Sequence, residues 1–151
     1  MSEKLKFPDS EIDFVVTPLY FLGGFDIYDR EESLGEYLDK YDPNDIKQLL
    51  KLFNETLFSG GIVKQYTLSH KQELFDVLRK ALTTVNYDFE SLVTHDRDPD
   101  DCFCLPWSWD FKNPRFPFEV AYIALYDRWG KKLLDSGRDV LPPAELNINH
   151  T

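Results

Sequence analysis

Apolar positions in the middle of the chain follow the spacing of a helix. They recur every three or four residues in one segment, at Ile46, Leu49, Leu50, Phe53 and Leu57. This spacing places the apolar side chains on one helical face. Asp42 is expected to cap this helix with Pro43 in its first position, and Gly60-Gly61 is expected to end it.

Two further helices are predicted from capping boxes, in which a hydroxyl and a carboxylate or amide three residues later satisfy free backbone amides. Ser33 with Glu36 opens a short helix that runs to about Lys40. Ser69 with Gln72 opens another, whose apolar face carries Leu74, Leu78, Ala81, Leu82 and Val85. Asp88 could cap one more short helix through Val93.

The flanking segments have shorter apolar runs that predict strands. Near the N-terminus these are Ile12–Val16, Leu19–Leu22 and the alternating residues 25–28, separated by Pro18 and Gly23-Gly24. Residues 62–68 alternate weakly and could form another strand.

The longest apolar run, Phe118–Tyr126, is expected to lie in the core in either secondary structure. Pro117 at a first-turn position and Gly130 as a C-cap favour a helix. Residues 127–130 also fit a type I turn with glycine in the left-handed position, followed by a return strand over residues 131–134. Periodicity does not separate the two, and we favour the hairpin.

Together these elements predict an α+β fold. Short antiparallel β elements lie at both ends, and two to three helices lie in the middle. The 151 residues suit one domain with a single core, residues 1–151. Residues 1–11 and 142–151 are polar and are expected to form mobile tails.

The distribution of charge along the chain indicates which class of partner to expect. The formal net charge is −10, with net −7 over residues 1–42 and net −6 over residues 88–110. Nucleic acids and anionic membranes attract cationic surfaces, so we expect neither as a partner and expect a basic protein instead. The N-terminus lacks the apolar region of a secretory signal, and no apolar run approaches the ~20 residues of a membrane span, which favours a cytoplasmic protein.

Motifs for metal binding or catalysis are incomplete. Asp96, Asp98 and Asp100 match positions 1, 3 and 5 of a calcium loop, but Asp101 stands where glycine is needed and Trp107 where glutamate is needed. His95, Cys102 and Cys104 lack a fourth zinc ligand. No nucleophile elbow, zinc-protease motif or kinase motif occurs. We therefore expect no metal, no cofactor and no enzymatic activity.

Two acidic segments are candidate binding faces. In the second of them Trp107 and Trp109 stand one residue apart, so on an extended chain they face opposite ways, with one buried and the other near the surface. The N-terminal segment is the competing site. The candidate partner-binding residues of both are Asp96, Asp98, Asp100, Asp101, Trp107, Trp109, Asp110, Asp29, Glu31 and Glu32.

These features favour an inhibitory binding protein, such as an immunity protein that neutralises a basic bacterial toxin, for example a nuclease. Such a protein needs a rigid scaffold, aromatic anchors and a charge opposite to that of its toxin. This hypothesis rests on analogy with a functional class. The alternatives are a small adaptor subunit of a cytosolic complex and a metal-dependent hydrolase that uses the Asp96–Asp101 cluster.

Overall fold

The computed structural model describes residues 5–8, 10–59, 61, 63–93, 105, 106 and 108–148. Six α-helical segments are described: α1 (Glu36–Leu38), α2 (Ile46–Thr56), α3 (Leu68–Thr83), α4 (Glu90–Val93), α5 (Phe116–Leu125) and α6 (Lys131–Asp135). Three 3-10 helices accompany them, at Pro18–Phe25, Val63–Gln65 and Pro143–Leu146. Two further segments are π-helical, at Glu31–Gly35 and Tyr126–Gly130.

The predicted α+β class is wrong, because the described residues contain no sheet. Their strand-like pairing is limited to one antiparallel bridge between Lys6 and Asp13. The predicted strand Leu19–Leu22 lies within the 3-10 helix Pro18–Phe25. The buried residues of that helix are Pro18, Phe21, Leu22 and Phe25. They recur at intervals of three and four, which is the spacing of a helical face and not of a strand.

The predicted C-terminal hairpin is also wrong. Phe118–Tyr126 lies in α5 and in the first residue of the π-helical segment that follows it. Pro117 lies in the first turn, as the alternative prediction of a helix required. The backbone at Tyr126, Gly130 and Lys131 is right-handed helical, so residues 116–135 form one continuous helix with a π-helical turn in its middle. Most of α5 is buried, and a helix that is apolar all round lies at the centre of a core.

Gly130 does not end this helix, because it lies inside it. A Cβ at Gly130 would come within 2.9 Å of the Tyr126 ring, so glycine allows that ring to pack against the helix backbone. The helix ends instead at Gly137, whose φ is +86°. Arg138 N–H donates to Leu133 C=O at 2.9 Å and Gly137 N–H donates to Leu134 C=O at 3.0 Å, the pattern of a Schellman motif.

The central helices are confirmed, but they begin at other residues than predicted. The cap of α2 is Asp45, whose carboxylate accepts the N–H of Lys47 at 3.0 Å. The capping box of α3 is formed by Thr67 and His70. The predicted box at Ser33 is not formed, since the helical backbone already begins at Glu31. Before α4, the Asp88 carboxylate accepts the N–H of Ser91 at 3.1 Å, as predicted.

The core surrounds α5, which packs against α2, α3 and the 3-10 helices at both ends of the chain. The segment 142–148 packs there as well, with Leu146 and Ile148 2% and 4% exposed. The largest fully buried side chains are aromatic: Trp109, Tyr122, Phe21, Phe25, Phe53, Phe75 and Phe118.

Candidate partner-binding face

An exposed tyrosine and four exposed carboxylates lie close together in sequence, between the 3-10 helix Pro18–Phe25 and the first residue of α1. We call the surface formed by Tyr28, Asp29, Glu31, Glu32 and Glu36 the acidic face. All five side chains are exposed, and 58% of Tyr28 is accessible to solvent. Tyr28 is the aromatic residue among these five, and the other four are acidic.

A tight turn followed by the π-helical segment positions these residues. The Asp26 carboxylate accepts the Tyr28 N–H at 3.1 Å. Asp29 has φ of 58°, a left-handed conformation that aspartate tolerates better than most residues. Arg30 N–H then donates to Ile27 C=O at 2.7 Å. Because Ile27 is 3% exposed and points into the core, its neighbour Tyr28 points outward.

The negative charge of the acidic face is not neutralised locally. Asp29, Glu31, Glu32 and Glu36 form no salt bridge with any residue that the structure describes. The Arg30 guanidinium donates to the backbone carbonyl of Asp26. Four carboxylates near one another in sequence therefore face solvent, which gives this part of the surface a negative potential.

A hydrogen-bonded network beside the face fixes α1 onto α2. Tyr37 donates to Glu55 at 2.6 Å, Lys51 donates to the Tyr41 hydroxyl at 2.8 Å, and Lys51 and Glu55 form a salt bridge of 2.9 Å. The bond to Glu55 is the main reason that the pKa of Tyr37 is raised to about 12. The same bond, followed by that from Lys51, lowers the pKa of Glu55. Lys51 is thus engaged within the network.

The described end of the second acidic segment packs against α1 and the turn after it. Trp109 Nε1 donates to Leu38 C=O at 3.1 Å, and the Ser108 hydroxyl donates to the Asp39 carboxylate at 2.5 Å. The Asn44 side chain donates to Asp110 C=O at 2.8 Å and accepts the N–H of residue 112 at 2.9 Å. Parts of both acidic segments therefore meet beside α1.

The predicted site residues divide into three groups. Asp29, Glu31 and Glu32 are exposed and lie together on the acidic face. Asp110 is exposed and lies beside α1, whereas Trp109 is 1% exposed and packs against Phe25 with ring centroids 5.1 Å apart. Trp109 is therefore buried between Phe25 and α1 and is not part of the exposed surface. The remaining predictions, Asp96, Asp98, Asp100, Asp101 and Trp107, lie outside the described residues.

Sequence reasoning missed Tyr28 and Glu36 as members of this surface. The signal for Tyr28 was present in the alternation of residues 25–28, because Phe25 and Ile27 are buried while Tyr28 is exposed. Glu36 was assigned to a capping box. The π-helical turn releases it from that role, since its own N–H donates to Glu31 C=O and its side chain faces solvent.

Within the described ranges, no three His, Cys, Asp or Glu side chains are grouped to hold a metal ion. His70 is buried and serves the cap of α3, where Nδ1 accepts the Thr67 N–H at 3.0 Å and Nε2 donates to Lys6 C=O at 2.6 Å. Both ring nitrogens are thus occupied by backbone groups.

Comparisons with protein families, with curated proteins and with solved structures found no match to this chain. Among the described residues, no helix has both the length and the apolar character needed to cross a membrane.

Proposed function

We propose that this protein is an inhibitory binding protein that neutralises a basic protein, in the manner of an immunity protein paired with a cationic bacterial toxin. The single observation that supports this proposal is the position of Tyr28. It is 58% exposed, and the four exposed carboxylates that lie close to it in sequence lack ion-pair partners among the described residues.

An exposed tyrosine with a charged rim has the composition of a binding hot spot. Tyrosine, tryptophan and arginine dominate such positions, and the surrounding polar residues exclude water. Carboxylates around the ring would accelerate encounter with a cationic surface. Buried Tyr28 contacts would then slow dissociation, because affinity within one interface is set mostly by the dissociation rate.

The supporting structure suits an inhibitor, since binding costs less when the surface is ordered beforehand. Leu38 is fully buried beneath the face, and its carbonyl accepts the bond from Trp109. The Tyr37–Glu55 and Lys51–Glu55 contacts attach α1 to α2 at its outer side. The face is thereby held from both sides.

The test uses a cationic toxin domain encoded next to this protein's gene. Tyr28→Ala should weaken binding by ~2 kcal/mol or more, mainly through faster dissociation, as expected for a hot spot. The triple charge reversal Asp29→Lys, Glu31→Lys, Glu32→Lys should mainly slow association and reduce its dependence on salt. Surface plasmon resonance gives both rates, and growth of cells that express the toxin reports neutralisation.

The matched control reverses three exposed carboxylates elsewhere, with Glu90→Lys, Asp135→Lys and Glu145→Lys. It alters the net charge by the same amount, so it should change association less than the triple reversal on the acidic face. If both triple variants change association equally and Tyr28→Ala leaves dissociation unchanged, the acidic face is not the binding surface. If the wild-type protein neither binds nor neutralises the toxin domain, the proposed function is wrong.

A further inference from the structure

Cations are grouped on a different surface, where α3 meets the second half of the long helix. Lys71 Nζ lies 5.3 Å from the centroid of the Trp129 ring, and Arg128 Cζ lies 4.6 Å from that of Phe58. The two rings contact each other edge to face at 4.9 Å. We call Phe58, Lys71, Arg128, Trp129 and Lys132 the cationic patch.

Lys132 brings a further ammonium group to Lys71. Burial is the main cause that lowers the pKa of Lys71, and the neighbouring Lys132 lowers it further. Two like charges are therefore close to each other, an arrangement that disfavours the charged form of Lys71. Contact with the Trp129 ring partly stabilises the charge of Lys71, but it does not remove the repulsion between Lys71 and Lys132.

No carboxylate neutralises these cations within the part of the chain that the structure describes. Lys71, Arg128 and Lys132 form no salt bridge there. Elsewhere in the described part of the chain, salt bridges to carboxylates are formed by Lys6, Lys51, Arg79 and Arg115. Asp127 and Asp135 lie on the same long helix, yet neither forms an ion pair with them.

We propose that the cationic patch binds a phosphate group, with Lys71, Arg128 and Lys132 supplying the positive charge around the ring pair of Phe58 and Trp129. A phosphate dianion neutralises two positive charges, whereas a carboxylate neutralises one. Charge-assisted hydrogen bonds from ammonium and guanidinium groups to phosphate are about twice as strong as neutral ones. The rings of Trp129 and Phe58 hold the charged ends of Lys71 and Arg128 in place, which lowers the cost of ordering them.

The first probe is inorganic phosphate, added at constant ionic strength to isotope-labelled protein at neutral pH. The NMR signal of the Trp129 indole N–H should shift and saturate, with a dissociation constant on the order of millimolar. Lys71→Met and Lys132→Met should each weaken binding on the order of tenfold. Both replacements keep a long apolar side chain, and neither residue lies in the buried core.

Lys47→Met is the matched control, because it removes the same charge at a distant position. Lys47 lies at the start of α2, whereas Phe58 follows the end of that helix. It should leave the phosphate titration unchanged. A second arm uses O-phosphoserine. Tighter binding of phosphoserine would identify an organic phosphate as the ligand, and equal binding would identify the free ion. Absence of a saturable shift, or equal weakening by all three lysine variants, would overturn the proposal.

This inference is independent of the proposed function. The cationic patch and the acidic face share no residue, so phosphate binding can fail while Tyr28→Ala still impairs binding of the toxin domain. The converse result is equally distinguishable, since phosphate titration requires no protein partner.

Discussion

At the scale of single residues, Arg115 joins three parts of the fold. Its guanidinium donates to the Glu119 carboxylate at 2.8 Å, to Leu82 C=O at 2.7 Å and to Leu146 C=O at 2.8 Å. These bonds connect the start of α5, the end of α3 and the C-terminal 3-10 helix. They also explain the single acidic residue in the apolar run, since Glu119 is 5% exposed and is paired with Arg115.

Arg115→Ala should therefore cost about 3–5 kcal/mol of unfolding free energy, the usual effect of removing one partner from a buried ion pair. Arg115→Lys should recover only part of this stability, because an ammonium group lacks the planar fork that reaches three acceptors at once. Urea unfolding measures both variants. A cost below about 0.5 kcal/mol, typical of surface positions, would show that the three bonds contribute little.

At the scale of elements, the 3-10 helix Pro18–Phe25 packs directly on the end of α2. A Cβ built on Gly24 would lie 2.5 Å from the Thr56 Cβ, a distance at which neither backbone can remain in place. Glycine is therefore required by close approach, and the Gly23-Gly24 pair, predicted to separate strands, instead lies inside a helical segment.

Gly24→Ala should cost about 1–3 kcal/mol, as overpacking in a dense core does. Gly61→Ala is the matched control, since nothing lies within 4 Å of a Cβ at Gly61 and stability should not fall. Thermal unfolding compares the two alanine variants directly. Equal melting temperatures would mean that Gly24 and Thr56 can separate without loss of packing elsewhere.

At the scale of the whole molecule, the main feature is the excess of acidic over basic side chains. The net charge is −10, and the carboxylates of the acidic face form no salt bridge with any described residue. Glu55 is different, because Tyr37 and then Lys51 lower its pKa. A carboxyl group whose pKa is lower in the folded state than in the unfolded state stabilises the fold at pH values above its unfolded-state pKa. That contribution is lost as the pH falls through the folded pKa.

The Glu55 network should consequently weaken in acid, below the ordinary glutamate pKa of 4.5. Urea unfolding from neutral pH into the acid range should show a steeper loss of stability for the wild type than for Glu55→Gln, which has no carboxyl group to titrate at this position. Glu36→Gln is the control, because Glu36 is exposed and unpaired among the described residues, and its pH profile should follow that of the wild type.

The sequence by itself determined the central helices and the burial of the apolar run. Apolar residues at helical spacing predicted α2 and α3, and the length of the apolar run Phe118–Tyr126 predicted that it lies in the core. It also located the N-terminal acidic segment as a candidate face. Such features depend on local pattern and charge, which the order of residues states directly.

Tertiary structure alone decided between helix and strand for the flanking segments. Pro18–Phe25 and Phe118–Tyr126 are short apolar runs, whose local preferences fit either conformation. The centre of this core accommodates a helix that is buried on all sides. The helix that begins with α5 therefore continues through Gly130. Burial of Trp129 outweighs the preference of residues 127–130 for a turn. The exposure of the acidic face likewise required the fold, because burial of Ile27 in the core directs the neighbouring Tyr28 toward solvent.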